Sequence, residues 1–279
     1  MSGTLAINGG TPVRDVNKNP WPIWPRHNES ERQAVMRVAD SGHWQMGPEV
    51  AAFEEQFADY VQAKHAICVM NGTVTMEIGL RAFGVGAGDE VIIPAHTFIA
   101  TALAVLMVNA TPVFVDSEPE HYNIDPEAVE KAVTERTRAI IPVHIGGAPC
   151  DMDAILDIAR RHDLHVLEDA AHAHGSEWKG RRIGAISELA SFSFQTGKVI
   201  TAGDGGALTT DDDDLAGKCR SLRQFGYGYK EPLTTSNYRL TEFQGALLQV
   251  QLGRLDEQTR VREENARYLG ASLSQIEGV

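Results

Sequence analysis

Five short apolar runs constrain this chain more than any other feature. AICVM (66–70), EVIIP (90–94), TPVFVD (111–116), AIIPVH (139–144) and HVLED (165–169) are each too short for a buried helix. Segments of helical length separate them. NGTVTMEIGLRAF opens a helix near Thr73, and residues 97–108 and DMDAILDIARRH (151–162) read as two more. DPEAVEKAV is a fourth, with Asp125 as its cap and Pro126 in its first turn. Strands that are apolar without alternation are buried on both faces. Their alternation with helices predicts an α/β fold with a mainly parallel central sheet and helices on both sides. ELASFSF and GALTT add two strands, and residues 30–41 and 48–62 two early helices. After Thr241 the pattern predicts one long helix over 241–269.

In sheets of this kind, chemistry collects beyond the carboxyl ends of the strands. Five segments qualify: NGT (71–73), PAHTF (94–98), HIGG (144–147), EDAAHAHG (168–175) and the loop around Lys198 in SFSFQTGKVITAGDGGALTT. All five are expected along one edge.

Several functions are disfavoured. A formal net charge of −13 argues against nucleic acid or an anionic membrane surface as partner. No apolar run approaches the length of a membrane span. MSGTLAINGG lacks the basic-then-apolar pattern of a signal peptide. Cys68, Cys150 and Cys219 are odd in number and widely spaced, which suits a reducing compartment, with cytoplasm the default. Gly197-Lys198 is not a phosphate-binding P-loop, since Phe192 stands where its first glycine belongs and Val199 follows the lysine. GVGAG (84–88) falls between a helix and a strand and reads as a turn. His144, His172, His174 and Cys150 match no metal-ligand spacing, so no metal is expected. A serine hydrolase elbow is lacking. The Asp211–Asp214 run reads as a helix cap.

Two residues remain at the predicted edge, each with two readings. Asp169 closes an apolar strand, as a helix cap or as the counter-charge of a buried cation. Lys198 is an ordinary loop lysine, or an amine desolvated among Ser193, Thr196 and glycines that loses its proton readily. A lysine of the second kind can form a Schiff base with a carbonyl cofactor. Pyridoxal phosphate requires such a lysine and an acid against its ring nitrogen. It also requires phosphate donors, which Gly72-Thr73-Val74 offers at a helix N-terminus. Phe98 either covers the cofactor ring or packs in the core.

Taken together, MNGTVTMEIGL, GDEVIIPAHTFIATA, PVHIGGAPCDMD, VLEDAAHAHGSEWKGRRIG, the Lys198 segment and SNYRLTEFQGALL resemble the DegT/StrS family of pyridoxal-phosphate-dependent aminotransferases. The resemblance implies the aspartate-aminotransferase type of fold and a site. Lys198 would anchor the cofactor and shuttle protons, and Asp169 would hold its pyridine nitrogen protonated. His172 would lie near its phenolic oxygen, Ser193 would join Gly72, Thr73 and Val74 on the phosphate, and Phe98 would stack on the ring. Asn237 would reach a partner's phosphate across a homodimer interface. LAINGGTPV, WPIWP and FQTGKVITAGDGG are similar to the branch holding scyllo-inosose aminotransferases and 3-amino-5-hydroxybenzoate synthase. That branch implies glutamine or glutamate as donor and a keto-cyclitol or keto-sugar as acceptor.

Two other functions share this fold. In a dehydratase a histidine would replace the lysine; a cofactor-binding regulator would lack turnover. The domain expectation is an arm over 1–25, a cofactor-binding domain over 26–260, and a connecting helix over 261–279. That helix would lead to a small C-terminal domain that these 279 residues do not include.

Overall fold

A computed structural model describes residues 4–230, 233, 235–276 and 278. Residues 4–28 contain neither an α-helix nor a strand and make one 3-10 turn at Ala6–Asn8. The helices are α1 (Glu29–Ser41), α2 (Pro48–Val61), α3 (Gly72–Ala82), α4 (Ile99–Met107), α5 (Pro126–Ala132), α6 (Met152–His162), α7 (Asp213–Leu222), α8 (Glu242–Leu252) and α9 (Leu255–Leu273). The strands are β1 (His65–Val69), β2 (Glu90–Pro94), β3 (Thr111–Val115), β4 (Thr137–Ile140), β5 (His165–Asp169), β6 (Glu177–Trp178), β7 (Arg181–Arg182), β8 (Leu189–Ser193) and β9 (Gly206–Thr210).

Seven strands form one sheet in the order β1-β9-β8-β5-β4-β2-β3, with only β9 antiparallel to its neighbours. The predicted mainly parallel sheet is therefore observed. Side chains alternate across it, as strand geometry requires. Ile67, Val69, Val91, Ile93 and Leu167 pack with α3, α4 and α7 on one face. Cys68, Phe192 and Ala207 meet Phe53 and Phe57 of α2 and Leu248 of α8 on the other. Ile92, Ile140 and Val166 continue that second face beneath α5 and α6. Asp125 caps α5 through the Glu127 N–H, and Asp212 caps α7 through the Asp214 and Leu215 N–H groups, both as expected.

Three boundaries differ from the sequence expectation. β4 ends at Ile140 rather than running to His144, because Pro142 has no N–H to give the ladder. Its carbonyl still accepts from Asp169 N at 2.8 Å, so the chain stays beside β5. The single helix expected over 241–269 is two. Gly253, a poor helix former, ends α8. Arg254 then turns to pair with Glu31 of α1, and α9 starts afresh. The β6–β7 hairpin was not anticipated; Lys179 and Gly180 turn it, both at positive φ. Among the described residues no helix is long and apolar enough to cross a membrane.

One distant contact fixes where α2 starts. Its N-cap is Gly47, which has no side chain to offer. Glu242 at the start of α8 supplies the carboxylate instead: Oε2 accepts from Glu49 N at 2.6 Å and from Val50 N at 3.3 Å. An anion on exposed helix amides is favourable. Glu242→Ala is expected to lower folding stability by about 1–2 kcal/mol. The check is a urea titration, in which an unchanged midpoint would remove this role.

Candidate active site

All five predicted segments meet in one cavity of about 500 Å³ at the carboxyl edge of the sheet. Its walls include Gly72, Thr73, Phe98, Ile145, Asp169, His172, Ser193 and Lys198. Seven of the nine expected site residues therefore come together. The two outside the wall are Val74 and Asn237.

One end of the cavity is the start of α3. Asn71 caps this helix, its Oδ1 accepting from Val74 N at 2.9 Å. The Val74 amide thus belongs to the cap. The Gly72 and Thr73 N–H groups have no acceptor among the described residues and open toward the cavity. Ser193 closes the cradle. A Cβ on Gly72 would lie 2.6 Å from Ser193 Cβ, so only glycine lets the helix start so near β8. Gly206 plays the same part opposite, where a Cβ would lie 2.7 Å from the Asn71 carbonyl. Two open amides, a hydroxyl and a helix dipole make a cradle for an anion.

Asp169 sits at the other end, 5% exposed at the close of β5. Oδ2 accepts from Thr101 Oγ1 at 2.9 Å, and Oδ1 from Ala171 N at 3.2 Å. Thr101 in turn meets Thr97 Oγ1 at 2.7 Å. Nothing in the sequence marks Thr101 as functional; its one signal is the i,i+4 spacing of Thr97 and Thr101 across the start of α4. The helix-cap reading of Asp169 is not what is seen, since no helix follows it.

Lys198 is half-buried, and its Nζ has no hydrogen bond or ion pair among the described residues. Burial lowers its pKa, with Asp169 opposing. The imidazole of His172 stands at the rim, its Nδ1 accepting from Gly146 N at 3.2 Å. That bond places the ring proton on Nε2 in the neutral form. Burial of its inner edge and the Lys198 charge both lower its pKa, with Asp169 opposing. Phe98 is 70% exposed on the cavity wall, so it is not a core residue. Asn237 bridges to Gln224 away from the cavity and accepts from Arg239 N at 3.4 Å.

The residues fit pyridoxal phosphate on structural grounds. The cradle offers unused donors, the lysine is unpaired and easily deprotonated, the acid is buried and oriented, and an aromatic face is bare at the mouth. No group of three His, Cys, Asp or Glu side chains among the described residues could hold a metal.

The cavity thus sets a half-buried lysine and a buried aspartate at the carboxyl edge of a mainly parallel sheet. Residues 25–279 match the DegT/DnrJ/EryC1/StrS aminotransferase family, and the chain belongs to it. It is 46% identical over 249 residues to the dTDP-3-amino-3,4,6-trideoxy-alpha-D-glucose transaminase of Streptomyces venezuelae, covering 88% of this chain and 66% of that one. It is 42% identical over 294 residues to the L-glutamine:2-deoxy-scyllo-inosose aminotransferase of Streptomyces lividus, covering 98% and 69%. The crystal structure of 3-amino-5-hydroxybenzoic acid synthase matches with a TM-score of 0.89 at 42% identity, over 92% of this chain and 70% of that one. The chain thus spans about two thirds of the length of the relatives it matches.

His174 lies behind the cavity, 4% exposed between the rings of Phe192 and Phe194. Neither ring nitrogen has a hydrogen-bond partner. Burial first, then the Lys198 charge, push its pKa from 6.5 down to about 3. Between those values the unfolded chain binds the proton and the folded chain does not. Stability is therefore full above pH 6.5 and falls as the pH drops, by up to about 1.4 kcal/mol per pH unit from this one group. His174→Leu is expected to flatten the pH dependence of the urea midpoint between about pH 6.5 and 3; parallel curves for the two proteins would refute it.

Proposed function

We propose that this chain carries the cofactor site of a pyridoxal-phosphate-dependent aminotransferase. It would take an amino group from glutamine or glutamate and pass it to a keto-cyclitol or keto-sugar in two half-reactions. The observation that carries this reading is one cavity containing an unpaired, half-buried Lys198 amine and a buried Asp169 carboxylate. Bound there, the cofactor supplies a carbonyl for the lysine and an electron-withdrawing ring.

Each residue has a task that its position supports. Asp169, held by Thr101 Oγ1 and the Ala171 N–H, keeps a proton on the ring nitrogen. Gly72, Thr73 and Ser193 bind the phosphate, and the Val74–Asn71 bond maintains that cradle. Phe98 would cover the ring, and His172 would stand by its phenolic oxygen. Lys198 would be the attachment point and the base that moves the substrate's proton. Its lowered pKa suits it to both tasks. A lysine at this position disfavours the dehydratase reading, which calls for histidine there. Three free, buried cysteines agree with a reducing compartment such as the cytoplasm.

The reading includes a homodimer, with Asn237 of each chain completing the partner's phosphate site. Its support is that Asn237 lies off its own cavity, while α4 and β3 present an apolar outer surface. Ile99, Leu103 and Leu106 are exposed there, beside Phe114 at 57%. Sedimentation is expected to give twice the 30.4 kDa chain mass, reduced to one by Phe114→Asp; a monomeric parent protein would refute it.

The function is tested by visible absorption of the protein mixed with pyridoxal phosphate. A band that Lys198→Ala abolishes, and that bleaches on adding glutamine or glutamate, is the expected result. A Lys198→Ala variant with full transaminase turnover would end the assignment.

A further inference from the structure

Lys198 lies in neither a helix nor a strand, yet its amine must face one cavity. The turn before it shows how the direction is kept. Lys198 N donates to Gln195 O at 2.9 Å, closing the turn. Thr196 N and Thr196 Oγ1 both donate to Gly203 O, at 3.0 and 2.9 Å, and tie the turn to the far side of the loop. The peptide unit joining Thr196 to Gly197 is engaged at both ends. Its N–H donates to Gln195 Oε1 at 2.7 Å. Its carbonyl accepts from the indole Nε1 of Trp24 at 2.6 Å, from 172 residues earlier in the chain.

A peptide unit is rigid, and its C=O and N–H point to opposite sides. Two partners on opposite sides therefore fix its rotation. The backbone at Gly197 does not fix it, since glycine has no side chain to resist a peptide flip. The following plane, which carries Lys198 Cα, is held by the Lys198 N–H bond to Gln195 O, so the two planes together set where the side chain starts. The indole is itself held, since the Arg262 guanidinium of α9 lies 5.5 Å from the Trp24 ring centroid.

We propose that Trp24, together with Gln195, is a positioning residue that clamps the Thr196–Gly197 peptide and thereby aims Lys198 at Asp169. The proposal rests on the reading of Lys198 as the attachment residue. Trp24 does not line the cavity and acts through the backbone. The charged or titratable groups facing Lys198 are Asp169 at the end of β5, His172 and His174 in the loop after it, and Asp204 ahead of β9. The α3 and α4 side of the cavity adds only uncharged residues such as Thr73, Thr97 and Phe98. The clamp sets how deeply the amine sits among these groups.

The test compares cofactor-free wild type, Trp24→Phe and Gln195→Leu. Trp24→Phe keeps an apolar ring and removes only the N–H donor; Gln195→Leu releases the other end of the same peptide. Trace acetylation across a pH series, with the Lys198 peptide read by mass spectrometry, gives the titration midpoint of that amine. Both variants are expected to raise the midpoint by about half a pH unit or more as the amine gains solvent. They should also slow uptake of pyridoxal phosphate several-fold, with Lys64 and Lys131 unmoved as internal references. A general loss of structure would move all the lysines together. Wild-type midpoints and uptake rates in both variants would overturn the proposal. If Trp24→Phe does not fold, Trp24→Leu decides it, because Gln195 itself lines the cavity and its variant alone would not separate the two effects. A wild type that folds but never attaches pyridoxal phosphate at Lys198 would sink the functional reading, while the acetylation series would still decide whether the clamp sets the amine's environment.

Discussion

The site depends first on how closely three backbones approach one another. The start of α3, the end of β8 and the start of β9 meet at Gly72, Ser193 and Gly206, where a single added Cβ would collide. Pairing in the sheet enforces the meeting: Gly206 is opposite both Val69 of β1 and Ser193 of β8. The reversed strand β9 makes this possible. It brings the chain back to the same edge after the Lys198 loop, so the loop is pinned at both ends over the helix that faces it. An anion cradle and the lysine are thus products of one topological choice.

The electrostatics follow from that frame. Lys198 and Asp169 share a cavity, and in water two such groups would be expected to pair. Here Asp169 spends its two oxygens on Thr101 and the Ala171 N–H, and Lys198 has no acceptor. Keeping a cation desolvated without a partner is unfavourable for folding. It also leaves the amine ready to lose its proton, which is useful only if the amine must react. The neutral state of His174 has the same cause, since its burial beside the same cation costs acid stability.

Much of this was legible in sequence because the governing signals are local. Continuous apolar runs marked the strands, and Asp125 and the Asp211–Asp214 run announced their helices. The edge rule then gathered five segments that the cavity does bring together. Where reading along the chain failed, the deciding interaction was distant. Gly253 breaks a helical pattern that looks continuous because Arg254 is drawn to Glu31, over two hundred residues away. Thr101 looks like any helix residue until Asp169 folds against it. Glu242 caps a helix that begins almost two hundred residues before it.

The N-terminal arm is the extreme of this kind. WPIWP has no periodicity to read, and its composition says only that it is extended. Its meaning lies in one indole N–H that reaches the Thr196 carbonyl. The loop it touches is rich in glycine, which lets backbone segments approach closely but leaves the loop without stiffness of its own. Rigidity must then come from outside the loop, and a large ring held by a guanidinium is a suitable source. The permissiveness that builds the cavity and the distant contact that aims its lysine are two sides of the same requirement.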